Sequence, residues 1–121
     1  MDDAVESLGL VSMTLYCLSM LTYLVKRVSV ATGVYQAIKL GAVGHHRLLG
    51  LSAAGAVGVH ATTAVFSEPS AACIVTGAMM VWTCGLGAYG AYVRKGRRGR
   101  WLGVHRVTAF LVLPTIGLHI A

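Results

Sequence analysis

The chain is 121 residues long, with 56% hydrophobic residues and only 12% charged ones. That balance excludes a disordered chain, which needs low hydrophobicity and high charge. It also argues against an ordinary soluble domain, in which about a quarter of residues are charged. A net charge of +6 would suggest nucleic acid if it lay on one soluble face. With a mean hydropathy of +0.72 it reads instead as a membrane-topology signal, and no nucleic-acid partner is expected.

The opening residues include Asp2, Asp3 and Glu6, so they are not the basic start of a secretory signal. The first apolar run, Leu8 to Val25, ends at Lys26-Arg27. The stretch from Val28 to Gly44, which contains Lys39, either extends this helix or lies in the interface. A second run, Leu48 to Phe66, ends at Ser67-Glu68-Pro69-Ser70. A third, Ala71 to Val93, ends at Arg94-Lys95-Gly96-Arg97-Arg98-Gly99-Arg100, and a fourth fills 101–121. Each has about the 20 residues that a membrane helix needs. Pro114 removes a backbone donor inside the fourth and is expected to bend it. The predicted fold is all-α: one domain over 1–121, a four-helix transmembrane bundle with helices over 8–25, 46–66, 71–93 and 101–121. Four spans take about 80 residues, which leaves no room in this length for a second soluble catalytic domain.

Threaded from an outer N-terminus, four helices place all ten Lys and Arg inside and all four Asp and Glu outside. The positive-inside rule asks only for a basic excess on one side. The expected topology is N-out and C-out. The Arg94–Arg100 run serves as a topology anchor and could also contact anionic lipid or a partner. Cys17, Cys73 and Cys84 are an odd number in apolar stretches, without C-x-x-C spacing. They read as small packing residues rather than a disulfide framework or thiolate metal site. Without C-x-x-C-H, covalently attached c-type haem is excluded.

The histidines carry the chemistry. Ionisable residues within spans are rare and mark function by default. His46 and His60 are 14 residues apart, as are His105 and His119. Two heptads bring both members of a pair to one helix face, separated by about 21 Å of rise. The motif repeats at a shift of 59: His46-Arg47 and His60 recur as His105-Arg106 and His119. Gly44, Gly58, Gly103 and Gly117 each precede one of these histidines by two positions. Such a glycine lies nearly opposite the histidine, where it is expected to serve helix packing.

The second and fourth helices run the same way, so the pairs form layers. His46 and His105 lie near the inner surface, His60 and His119 near the outer one. Two imidazoles satisfy neither structural zinc, which takes four ligands, nor catalytic zinc, which takes three and water. They do satisfy the axial positions of a haem iron, whose macrocycle supplies the other four nitrogens. Between the histidines lie Leu49 or Gly50, Ala53, and Ala56 or Val57 on one helix. Thr108 or Ala109, Val112, and Thr115 or Ile116 lie on the other. Gly50 and Ala53 in particular leave room for a flat macrocycle. His45 is a worse angular match to His60 and is read as a surface residue or a propionate partner. Arg47 and Arg106 follow the inner ligands and either neutralise inner propionates or serve as topology charges. Outer propionates would rely on Thr62, Thr63, Ser67, backbone or water.

This pattern resembles the four-helix dihaem core of the cytochrome b of quinol:cytochrome c reductases. The stretch His46-Arg47-Leu48-Leu49-Gly50-Leu51 to His60, with Trp101-x-x-x-His105-Arg106 to His119, also resembles the ferric-reductase-like transmembrane domain. The resemblance covers about a third of the chain. It implies two b haems and electron transfer across the membrane, with the iron of the inner haem held by His46 and His105 and that of the outer by His60 and His119. It implies a membrane subunit working with redox partner proteins or quinone, as a homo-oligomer or within a larger complex. Ferric reductases usually have six helices and a flavin and nicotinamide domain, which do not fit here, so no NADPH-oxidising activity carries over. No catalytic residue is assigned, and Glu68 is the only carboxylate beyond the N-terminal segment. The expected location is a prokaryotic cytoplasmic membrane. Two alternatives are a small four-helix transporter of the multidrug-exporter type, which needs a mid-membrane carboxylate absent here, and a haem-free structural subunit, which leaves the 14-residue spacing unexplained.

Overall fold

A computed structural model describes residues 3–33, 45–67 and 70–120, and the side chains of 65 and 67 fall outside the description. Asp2, Lys39, Gly44, Glu68 and the Ser67 hydroxyl, all named above, therefore lie outside the described residues. Every described element is helical: α1 Asp3–Ala31, α2 His46–Ser67, α3 Ala71–Ala88 continued by a π-helical turn Tyr89–Val93, and α4 Arg100–Ile120. The boundaries follow the apolar runs for α2, α3 and α4. α1 is longer than the expected 8–25, because neither the acidic start nor Lys26-Arg27 stops it. Asp3 and Glu6 occupy its first turn, where carboxylates favour the helix dipole. The chain from Val28 to Ala31 extends the helix, and Gly33 turns out of it with φ +77.

α1, α3 with its π-turn, and α4 are each long and apolar enough to cross a membrane. α2 has a similar length of 22 residues. At about 1.5 Å per residue, the 29 residues of α1 exceed the roughly 30 Å hydrocarbon thickness, so its charged ends reach the headgroups. The surface fits that solvent. Leu10, Val28, Val81, Trp82 and Leu118 are all more than half exposed. An apolar exterior of this kind is unusual for a soluble monomer.

Neighbouring helices are antiparallel. α1 packs on α2, α2 on α3, and α3 on α4, which leaves α2 and α4 diagonal and parallel across the middle. Tyr16, Met20, Ala53, Val57, Met80, Ala109 and Val112 form the central core, with Ala53 and Val112 fully buried. The Tyr16 hydroxyl donates to the Ala109 carbonyl and closes α1 onto α4. The Thr76 hydroxyl donates to the Thr115 carbonyl at 3.0 Å, tying α3 to α4. Buried hydroxyls in an apolar solvent need such partners. At the start of α3, Ser70 caps the helix by accepting from the Cys73 amide at 3.1 Å. α4 continues as helix through Pro114.

The α3–α4 corner depends on two local features. In the π-turn the Arg94 amide donates to the Tyr89 carbonyl at 3.0 Å, and the Gly96 amide to the Gly90 carbonyl at 3.0 Å. Lys95 (φ 48) and Gly96 (φ 77) then reverse the chain. The Trp101 indole lies directly on Gly90, and a β-carbon there would fall inside the ring. We expect Gly90→Ala to cost about 1–3 kcal/mol through overpacking and Tyr16→Phe about 1 kcal/mol through a lost interhelical hydrogen bond. Thermal unfolding followed by circular dichroism in detergent measures both.

Candidate functional site

The four histidines of the 14-residue pattern meet as two pairs. The His46 and His105 rings stand 6.4 Å apart between centroids at an interplanar angle of 76°. The His60 and His119 rings stand 6.0 Å apart at 77°. Each pair joins α2 to α4 across the bundle diagonal. The central core fills the space between the pairs, so they form two separate layers. Ala53, seven residues from each of its helix's histidines, belongs to that core.

Carbonyls of the flanking helices hold the rings. His60 Nδ1 lies 2.9 Å from the Val5 carbonyl, and His46 Nδ1 lies 2.9 Å from the Ser19 carbonyl. Val5 and Ser19 are themselves 14 residues apart on α1, in antiparallel register with His60 and His46. His105 Nδ1 lies 2.9 Å from the Thr83 carbonyl on α3. A carbonyl only accepts, so each of these three Nδ1 atoms carries the proton. In the neutral tautomer with the proton on Nδ1, Nε2 is the nitrogen that carries the lone pair. Ser19 adds a second contact. Its hydroxyl lies 2.9 Å from His46 Nδ1 and donates to the His46 carbonyl at 3.2 Å. His119 Nδ1 is buried without a hydrogen-bond partner among the described residues.

The residue four positions after each accepting carbonyl faces the same ring. After Val5 it is Gly9, whose β-carbon would stand 2.9 Å from His60 Cε1. After Thr83 it is Gly87, whose β-carbon would stand 3.2 Å from His105 Cε1. After Ser19 it is Tyr23, whose ring is 6.4 Å from that of His46. A helical carbonyl already bonds the amide at this fourth position, so a second donor must approach over that residue's Cα. Glycine gives the ring that space. Gly50 acts one step removed. It lets α1 close on His46, with its β-position 3.6 Å from Ser19 Oγ, and its carbonyl lies 3.8 Å from Cys84 Sγ.

Other expectations fare differently. Gly58, Gly103 and Gly117 do point away from their histidines, but a β-carbon at any of them would meet nothing within 4 Å. They therefore pack against no neighbour within the described chain, and Gly44 lies outside it. His45 is exposed ahead of α2, apart from both pairs. Arg47 places its guanidinium 4.3 Å above the Tyr92 ring, and Arg106 lies 5.8 Å from the Tyr23 ring. Arg106 Nε is buried without a partner among the described residues. The Thr62 and Thr63 hydroxyls bond back to carbonyls of their own helix.

Could these residues hold haem? Two imidazoles facing each other from opposite sides of one metal, with each metal–nitrogen bond about 2.0–2.1 Å and a ring radius near 1.1 Å, would put centroids about 6.2–6.4 Å apart. Both pairs fall at or close to that spacing. Among the described residues no group of three or more His, Cys, Asp or Glu gathers to hold a bare metal ion. No family model, curated protein or solved structure matches the chain.

Sequence reasoning found the four histidines and missed what orients them. Val5 and Thr83 contribute only backbone carbonyls, which every residue has. Gly9 and Gly87 could be singled out among 15 glycines only once the interhelical register was known. In the ligand-free protein, ¹⁵N-resolved histidine spectra are expected to show Nδ1–H tautomers for His46, His60 and His105. Gly9→Ala is expected to shift the His60 resonances alone, because only that ring is displaced.

Proposed function

We propose that this protein is a small dihaem b-type membrane cytochrome. The observation that carries the reading is the pairing: two imidazole pairs at 6.0 and 6.4 Å, three of their four rings held through Nδ1, which would leave Nε2 to ligate. His46 and His105 would hold an inner haem, and His60 and His119 an outer one. Haem, when bound, supplies reversible one-electron chemistry, and the protein supplies placement and electrostatics. The haem-free structural alternative gives no use for two imidazole pairs in register between α2 and α4.

The chain's own residues would divide the remaining work. The Val5, Ser19 and Thr83 carbonyls set the tautomer and raise the basicity of the ligands they touch. The central core keeps water out of the space between layers. Arg106, whose buried Nε has no partner among the described residues, would meet a propionate near the inner pair, and Arg47 lies next to His46 in the chain. Cationic charge at that level favours the reduced, more negative form of the inner haem and so raises its potential. With α2 as a fourth span, the two layers lie about 21 Å apart along the bundle, towards opposite membrane faces. Charge segregation supports an N-out and C-out topology, and all of this describes an electron conduit between redox partners or quinone on the two sides.

Purified protein from haem-replete expression is expected to show a reduced-minus-oxidised b-type spectrum. A pyridine haemochrome assay should count two haems per chain. His46→Ala and His60→Ala should each lose one of them. A preparation without a Soret band would refute the reading.

A further inference from the structure

The inner end of the bundle carries a feature that haem binding does not use. Five cations, Arg94, Lys95, Arg97, Arg98 and Arg100, crowd seven consecutive residues, and all five are exposed. Asp3 and Glu6, the described carboxylates, sit at the start of α1, at the opposite end of the bundle. Arg94, Lys95 and Arg97, with Val93, line an open recess of about 200 Å³. The positive-inside rule needs only a basic excess, and anionic lipid would be satisfied by cations anywhere on the rim.

Neither explains how the loop is fastened. Its foot is Trp101, whose indole lies on Gly90 of the π-turn and donates from Nε1 to the Arg97 carbonyl at 3.1 Å. π-turns of this kind recur at functional sites. The same indole is 6.5 Å from the His105 ring. From there rings follow one another through His46 to Tyr23 and Phe110, each 6.4 Å from the last. The outer pair has no such continuation among the described residues. The cationic loop thus surrounds the end of an aromatic path that leads into the inner histidine pair.

We propose that the Arg94–Arg100 loop docks an acidic-faced, one-electron carrier protein, and that Trp101 is the positioning residue through which the docked carrier couples to the inner site. The proposal rests on the haem reading for its electron transfer but not for its docking. One electron passes between the carrier and the inner haem iron: one is oxidised as the other is reduced, with no bond or proton exchanged. The uncompensated charge steers the encounter, as complementary fields do.

The test uses the full chain in nanodiscs of neutral phosphatidylcholine. An acidic flavodoxin is the probe, and basic mitochondrial cytochrome c the wrong-sign control. Binding is read by biolayer interferometry at low and high salt, and haem reduction by stopped flow. Flavodoxin, but not cytochrome c, is expected to bind, more weakly at high salt. The R97Q/R98Q/R100Q variant should lose about tenfold in affinity with unchanged helicity. At saturating flavodoxin, where a change in affinity no longer limits the rate, Trp101→Leu should slow haem reduction about tenfold. Equal flavodoxin binding by the triple variant overturns the proposal. So does a variant that loses only its partition onto phosphatidylglycerol vesicles, which would make the loop a lipid anchor. Haem-loaded protein that ignores flavodoxin defeats the docking and leaves the haem reading standing. Haem-free protein that still binds it salt-dependently defeats the haem reading and keeps the docking.

Discussion

An imidazole inside a membrane bundle has two ring nitrogens to satisfy and no water to do it. In this protein the Nδ1–H···O=C bond to a neighbouring helix answers half of that demand at His46, His60 and His105. Most of the architecture follows from it. The accepting carbonyl already serves its own helix, so the ring must enter above the residue four positions on, which is glycine at Gly9 and Gly87. Because the bonds run from α2 to α1 and from α4 to α3, they fix the register of each antiparallel hairpin. The diagonal helices α2 and α4 then bring their rings together in pairs, with centroids 6.4 and 6.0 Å apart.

The two layers are not equivalent. The His46–His105 layer is crowded with polar and aromatic company: the Ser19 hydroxyl on His46, Tyr23 beside it, Trp101 beside His105, and two arginines over tyrosine rings. In the His60–His119 layer, His60 bonds the Val5 carbonyl and His119 Nδ1 is buried without a partner among the described residues. On the cytochrome reading, such differences in hydrogen bonding and nearby charge are the means by which a protein sets two chemically identical cofactors at different potentials.

Small residues do two different jobs in this chain. Gly9, Gly87 and Gly90 face inward, and each has a ring where a β-carbon would go, whereas Gly58, Gly103 and Gly117 face open space. The sequence pattern that drew attention, a glycine two before each histidine, belongs to the second group. The glycines that shape the site carry no sequence signature, because their role comes from a ring on another helix.

What the sequence by itself determined is what depends on period and solvent. Apolar runs of membrane length gave helices close to the observed α2, α3 and α4, and a 14-residue spacing gave two histidines per helix face. Charge type sorted by helix end, because lipid tolerates no charge in between. His45 was separated from His46 by angle alone, and its exposed position ahead of α2 agrees. Tertiary structure alone decided the interhelical partners: the carbonyls of Val5, Ser19 and Thr83, Tyr16 on Ala109, and Trp101 on Gly90. The physical reason is that backbone acceptors are uniform along a chain. Which of them meets a given ring is set by register between helices, and no single-helix periodicity encodes that.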